Sequence, residues 1–378
     1  MNNINGVYTK LAKHLDKLPG GYPPTDSGVE LRILKRLFSE DEAELALHLT
    51  LIPEEAKVVA RRAKLPTAEA ARRLKEMARK GLIFSIELKN RPALFMASQF
   101  VVGIWEYHVN DLDPGLIADM RQYIPYLFDK EAWSKSPQLR TIPVGRALPA
   151  GAEILDYESA EELIKRQKHI LVAPCICRKE HQIAGDGCDR PLETCLVFGA
   201  GVFYYERNGL GRRIDVDECL EILKIADKAG LVLQPSNTKK IINICCCCGD
   251  CCHVLKTIAS FPRPADIAAS PFIARADSSQ CSGCGVCVDR CQMGALGLDD
   301  DELVVLQEHR CIGCGLCVST CPTGGLSLER KPADQQKPVP NNIIQMSRNL
   351  ARARGKLNPA GEVVMLLKSK VDRLLARS

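Results

Sequence analysis

Eight cysteines toward the carboxyl end stand in two copies of one spacing. Cys281-Ser-Gly-Cys284-Gly-Val-Cys287-Val-Asp-Arg-Cys291 is followed by Cys311-Ile-Gly-Cys314-Gly-Leu-Cys317-Val-Ser-Thr-Cys321, an offset of 30 residues. Aligned from Cys281 to Leu298 against Cys311 to Leu328, ten of eighteen positions are identical, including Gly283 with Gly313, Gly285 with Gly315, Gly294 with Gly324 and Leu296 with Leu326. Thiolates are soft ligands, and three of them on one tight loop can wrap a polynuclear metal centre. Glycines in that loop let backbone N–H groups approach the inorganic atoms. A zinc site takes four ligands, usually as two C-x2-C pairs, and does not account for eight thiolates in a doubled run. The fourth cysteine of each copy is expected to begin a short helix.

The C-x2-C-x2-C-x3-C spacing resembles that of bacterial-type ferredoxins. The resemblance implies a domain over 271–330 holding two 4Fe-4S clusters, in which the fourth cysteine of each copy serves the other cluster. Carried over, the first cluster takes Cys281, Cys284, Cys287 and Cys321, and the second takes Cys311, Cys314, Cys317 and Cys291. Gln292 departs from the family, which usually has proline after the fourth cysteine. Closed four-thiolate coordination implies carrying electrons rather than transforming substrates. The acidic run Asp299, Asp300, Asp301 and Glu302 falls between the copies, on a hairpin read as a solvated loop with docking as the alternative.

The chain has 19 cysteines, and the remaining eleven also lie within 175–321. Reduced thiols in such groupings read as metal or redox ligands before disulfides. Cys175, Cys177, Cys188 and Cys195 form one grouping; Cys245, Cys246, Cys247, Cys248, Cys251 and Cys252 form a second. Neighbouring residues of a strand face opposite ways, so the six thiols of that run cannot all ligate one ion. A further iron–sulfur cluster is expected from Cys175, Cys177, Cys188 and Cys195, with thiols of the 245–252 run replacing or joining them. Zinc is the second reading, and cysteine as a small apolar packing residue the third. His181 and His253 stand beside these groups and read first as ordinary surface or core histidines, with ligation the alternative. Cys219, on an amphipathic helix with Leu220, Leu223 and Ala226, reads as core.

The elements that must position these groups follow from periodicity. Over 28–97 helical spacing recurs through Leu31, Leu34, Leu37 and Phe38, then Ala43 to Leu49, then after Pro53, then from Pro66 and Thr67 to Gly81. Alternation through Leu82 to Leu88, a turn at Asn90 to Pro92 and the return at Ala93 to Ala97 predict a hairpin. Helices followed by a hairpin resemble the winged-helix family, placing a winged-helix-like domain at 1–97. The resemblance implies a recognition-like helix at Thr67 to Lys80 and a wing tip at Lys89 to Arg91. Arg72, Arg73, Lys75, Arg79 and Lys80 would then be available to DNA phosphates, although such domains also serve as protein-interaction modules and basic helix faces are ordinarily solvated.

Residues 98–150 read as a connector whose aromatic residues Phe100, Trp105, Tyr107, Tyr123, Tyr126, Phe128 and Trp133 dock one domain on the next, punctuated by Pro114, Pro125, Pro137, Pro143 and Pro149. A small α/β or α+β cysteine-rich central domain follows over 151–270. Its expected elements are a helix at Glu158 to Gln167, a strand at Ile170 to Ala173 and a helix at Val216 to Gly230. Gly199-Ala-Gly201 reads as a tight turn with no helix start after it, so no dinucleotide site is expected. Beyond a Pro-rich linker, 331–378 is a basic amphipathic helical tail with Val364, Leu367, Val371 and Leu374 on one stripe. Lys368, Lys370, Arg373 and Arg377 there suit an acidic partner or an anionic membrane surface.

The whole reads as an α+β protein. No apolar stretch approaches the roughly 18 residues of a membrane span, and residues 1–17 lack the apolar core of a secretory signal, so a cytoplasmic protein is expected. The order of parts is similar to that of multi-cluster ferredoxin-type proteins of anaerobic bacteria. The expected function is electron transfer to a redox partner protein. A redox-sensing DNA-binding regulator and a reductase acting at a central-domain cluster are the alternatives.

Overall fold

The computed structural model describes residues 4–148 and 154–376, so Pro149, the start of the central domain at 151–153 and Arg377 lie outside the described residues. The chain forms two compact units: Met1–Asp129 with Phe203–Leu210 and Ser347–Ser378, and Lys130–Val202 with Gly211–Met346.

In the first unit, four short helices, Val29–Leu37, Glu40–Ala46, Ala56–Ala63 and Thr67–Arg79, precede the hairpin Ile83–Ile86 with Leu94–Ala97. A third strand, Glu54–Glu55, pairs antiparallel with Leu94–Ala97. Ser39 and Glu42 close a reciprocal capping box, each side chain accepting the other's backbone N–H, which fixes where the second of these helices starts. Thr67–Arg79 buries Ala70, Leu74 and Met77 completely. Its outer face carries the basic residues, but three of the five are already paired. Arg72 bonds Glu69 and Glu76 at 2.9 Å each, Arg73 bonds Glu69 at 2.6 Å, and Lys80 reaches Glu42 at 2.6 Å. Lys75, Arg79 and the hairpin tip Lys89 to Arg91 are exposed.

Of the aromatic residues after position 98, Phe100, Trp105, Tyr107 and Tyr123 pack inside this same unit, whereas Tyr126 is half-exposed and Trp133 belongs to the second unit. Tyr22 lies edge-on to Phe100 and Tyr123 with centroids 4.8 and 4.9 Å apart, and Tyr107 lies 4.7 Å from Tyr204. The helix Pro114–Leu127 packs against Val29–Leu37 through a buried face of Leu116, Ile117, Met120 and Tyr123. Residues 98–129 therefore extend the first core rather than spanning between cores.

The terminal helix Pro359–Leu375 attaches by its polar side. Ser369 Oγ donates to the buried Glu54 at 2.7 Å, and Asp372 accepts from Arg62 Nε at 2.6 Å. Val364, Leu367, Val371 and Leu374, the apolar stripe of the tail, are 63, 56, 50 and 54% exposed. The reason is electrostatic: Arg62 sits between Glu54 and Asp372, and satisfying that charge turns the helix's apolar stripe outward.

The second unit is built on a five-stranded sheet in the order Arg212–Ile214, Ile170–Pro174, Glu193–Phe198, Asn243–Cys247, Val232–Pro235. Every neighbouring pair is antiparallel, which selects α+β over the parallel α/β alternative. The helix Val216–Lys228, capped by Asp215 and closed by Gly230 at φ 72°, buries Cys219, Ile222, Leu223 and Ala226. Gly199 turns at φ 61°, but a helix, Ala200–Arg207, does start directly after it, contrary to the sequence expectation. With antiparallel strands no βαβ crevice accompanies that turn.

Candidate metal centres

The doubled motif folds as two crossed halves. Phe272–Ala276, before the first cysteine loop, pairs with Leu326–Arg330, after the second; Leu296–Leu298 and Val304–Leu306 pair as the hairpin between them, with Asp299 to Glu302 at its tip. Each half is thus held by a strand of the other. The fourth cysteine of the first copy ends a helix, Val286–Arg290, instead of beginning one.

Two cavities result. One is lined by Cys281, Cys284, Cys287 and Cys321 together with Val286, Leu298, Val304 and Leu326. The other is lined by Cys291, Cys311, Cys314 and Cys317 together with Met293, Leu296, Leu306 and Leu316. Three thiols of each cavity come from one copy and the fourth from the other. Backbone N–H groups already point at sulfur: Gly283 at Cys281 (3.4 Å), Ala295 at Cys291 (3.1 Å) and Ala274 at Cys311 (3.4 Å). Gly313 is required: at φ 66°, a Cβ there would meet the Phe272 carbonyl oxygen at 2.1 Å. Four thiols around an apolar-walled void with inward N–H donors fit a thiolate-held inorganic cluster.

The two cavities differ in depth. In the first, Cys284 is exposed and only Cys287 is buried; in the second, Cys311 and Cys317 are buried. Burial pushes the Cys314 thiol up to about 12, and raises Cys317 and Cys311 as well. Around Cys321, the Thr323 side chain and backbone outweigh burial and hold the thiol below its usual range.

The central cysteines divide into groups that chain order does not suggest. Cys175 contacts Cys177, which contacts Cys252, then Cys247, Cys245 and Cys195 in turn. These six come from two helix starts and two adjacent strands, Cys195 standing directly opposite Cys245. Cys175 and Cys252 are the N-cap residues of the helices Ile176–Ala184 and His253–Ser260. Hydrogen bonds from neighbouring thiols hold both below the usual thiol range, helped by backbone N–H groups of the first turn. Their donors Cys177 and Cys247 are correspondingly raised. Cys246, on the opposite face of its strand, is buried near Cys219 and raised by burial.

Cys188 leaves the grouping in which its spacing put it and joins Cys248 and Cys251. Between the two groups lies Arg178, which sequence reasoning passed over. It is 0% exposed, donates to the Cys246 carbonyl at 3.1 Å and to Cys248 Sγ at 3.7 Å, and also bonds Thr194. The signal was its place one residue after Cys177, where a cation on a ligand helix compensates thiolates. His253 and His181 are tied to carboxylates, Nε2 to Glu180 at 2.6 Å and Nδ1 to Asp186 at 2.9 Å.

Several hydrogen bonds join the cysteine-rich domain to the cavities, among them those of Asp227 and Gln292. Buried Asp227, on the helix Val216–Lys228, accepts from Arg290 (3.1 Å), Ser319 (2.9 Å) and Arg146 (3.1 Å). Gln292 Oε1 accepts the Gly249 N–H at 2.5 Å, a bond that links Cys291's neighbour to the Cys248–Cys251 turn.

Residues 274–328 match a protein family described as a 4Fe-4S dicluster domain. This segment is a dicluster ferredoxin-type domain. No curated protein and no solved structure matches the chain. The 4Fe-4S domain and the wealth of cysteines fit an iron–sulfur electron-transfer role. Among the described residues, no helix is long and apolar enough to cross a membrane.

Proposed function

We propose that this protein is an electron carrier with two 4Fe-4S clusters in its dicluster domain and a further cluster in its central domain. Cys281, Cys284, Cys287 and Cys321 hold the first, Cys291, Cys311, Cys314 and Cys317 the second. The observation that carries this reading is the pair of cavities, each lined by four thiols drawn from both copies of the motif. Such a cluster, when bound, supplies one-electron redox chemistry at a potential set by exposure and hydrogen bonding to sulfur.

The chain's own residues give the pathway a direction. Exposed Cys284 places the first site within reach of a redox partner protein, while the second is walled by Met293, Leu296 and Leu316. From Cys291 the route continues through Gln292 and Gly249 toward Cys175, Cys177, Cys195, Cys245, Cys247 and Cys252, four of which hold the further cluster. Arg178 balances the thiolate charge there, and Asp227 keeps the dicluster domain in register with the sheet. The N-terminal domain is a winged-helix-like interaction module: with Arg72, Arg73 and Lys80 paired to Glu69, Glu76 and Glu42, its helix offers a partner protein more than it offers DNA phosphates.

The test is an anaerobic count of iron and acid-labile sulfide with electron paramagnetic resonance of the reduced protein. About twelve irons per chain are expected, roughly eight in the dicluster domain. Cys177→Ser should remove about four and leave an interacting two-cluster spectrum. A wild-type chain that holds no iron after reconstitution would overturn the reading.

A further inference from the structure

We infer that Cys188, Cys248 and Cys251 form a separate mononuclear site for a thiophilic divalent ion, Zn²⁺ being the one their chemistry suits. Spacing separates this triad from the cluster sites. Cys188 Sγ lies 3.9 Å from Cys248 Sγ and 3.6 Å from Cys251 Sγ. A tetrahedral ion with metal–sulfur bonds of about 2.3 Å puts its sulfurs about 3.8 Å apart. Around a cubane the iron–sulfide core keeps the four thiolates apart, so no three of them crowd together as these do. Among the described residues this is the one group of three or more such ligands whose donor atoms all lie within 4.8 Å of one another. The dicluster cysteines instead line two separate cavities, four to each.

Local structure agrees. Cys248 and Cys251 stand at C-x2-C spacing on the turn that leaves the strand Asn243–Cys247, a bite that suits one tetrahedral ion. Both are buried, while Cys188 approaches from a loop and is half-exposed. Three thiolates and a divalent ion leave one net negative charge. The Arg178 guanidinium, 3.7 Å from Cys248 Sγ, compensates it. No fourth protein ligand belongs to the group among the described residues, so water completes the tetrahedron on the half-exposed side, the arrangement of an open zinc site.

The experiment uses the full chain, purified anaerobically, with iron, zinc and sulfide counted together. Wild type should carry close to one zinc per chain, and Cys188→Ser, at the half-exposed position, should lose at least tenfold in zinc affinity with iron and sulfide unchanged. Co²⁺ added to zinc-stripped protein should give sulfur-to-cobalt charge transfer and tetrahedral d–d absorption that Cys188→Ser weakens. Wild type without zinc and without the cobalt bands would overturn the assignment. So would a Cys188→Ser chain that loses about four irons with their sulfide, since the triad would then belong to a cluster. The zinc and cobalt readouts do not depend on iron, so failure of the electron-carrier reading is seen separately.

Discussion

The dicluster domain and the central domain solve the same problem, gathering reduced thiols in one place, in opposite ways. In the dicluster domain three ligands of each cavity lie on one loop of seven residues, Cys281–Cys287 or Cys311–Cys317, and the loop's own glycines and N–H groups shape the site. In the central domain thiols up to 77 positions apart, Cys175 and Cys252, meet because two helix starts converge on two adjacent interior strands of a sheet. The loop-built site is local and repeated. The sheet-built site depends on the whole domain being folded, and it needs a buried cation, Arg178, to balance charge that the loop-built cavities offset with backbone dipoles. Loss of a ligand should therefore have local consequences in one region and global consequences in the other.

The largest test of that contrast is Arg178→Met. Removing one partner of a buried charge network typically costs about 3–5 kcal/mol. The central iron should be lost and the unfolding midpoint of the second unit should fall, by denaturant titration, with the dicluster electron paramagnetic resonance signals retained in the folded fraction. A dicluster signal lost in parallel would break the comparison. Cys284→Ser, at the exposed cavity, should by contrast perturb a single cluster, changing its signal and potential while total stability moves by less than about 1 kcal/mol.

Asp227→Asn probes the joint between the regions. Neutralising a buried carboxylate bonded to Arg290, Ser319 and Arg146 should cost about 2 kcal/mol, read as a lower denaturation midpoint with iron content unchanged. Gln292→Pro restores the residue usual in the ferredoxin family and removes the acceptor of the Gly249 N–H. A loss of about 1 kcal/mol is expected, with slower equilibration of electrons between dicluster and central sites after flash reduction. Unchanged kinetics would remove Gln292 from the route.

The smallest effect is a titration beside the dicluster domain. Burial holds the Lys337 ammonium down to about 8 while it donates to the carbonyls of Asp266 and Ile267. Because the folded protein releases this proton before the unfolded chain does, stability should rise as pH increases from about 8 toward 10.5, and Lys337→Met should abolish that increment.

Much of this was readable in advance for the helices and loops. Pro66, Thr67 and Gly81 bracket the helix Thr67–Arg79, and the alternation after Gly81 becomes the hairpin. The aromatic residues of 98–129 misled because burial shows in residue type, whereas the core that does the burying does not. In the tail, the stripe of Val364, Leu367, Val371 and Leu374 is legible in the spacing, whereas its outward orientation depends on the pairing of Arg62 with Glu54 and Asp372.

Sequence alone determined that each copy of the doubled motif sets three thiols on one glycine loop, because residues three apart on such a turn converge locally; the fourth thiol of each cavity comes from the other copy. Which central thiols share a site was decided by tertiary structure. Cys188 and Cys195 are seven residues apart and belong to different groups, while Cys175 and Cys252 share one. Strand pairing and helix placement set those distances, and both depend on the burial of side chains far from any cysteine.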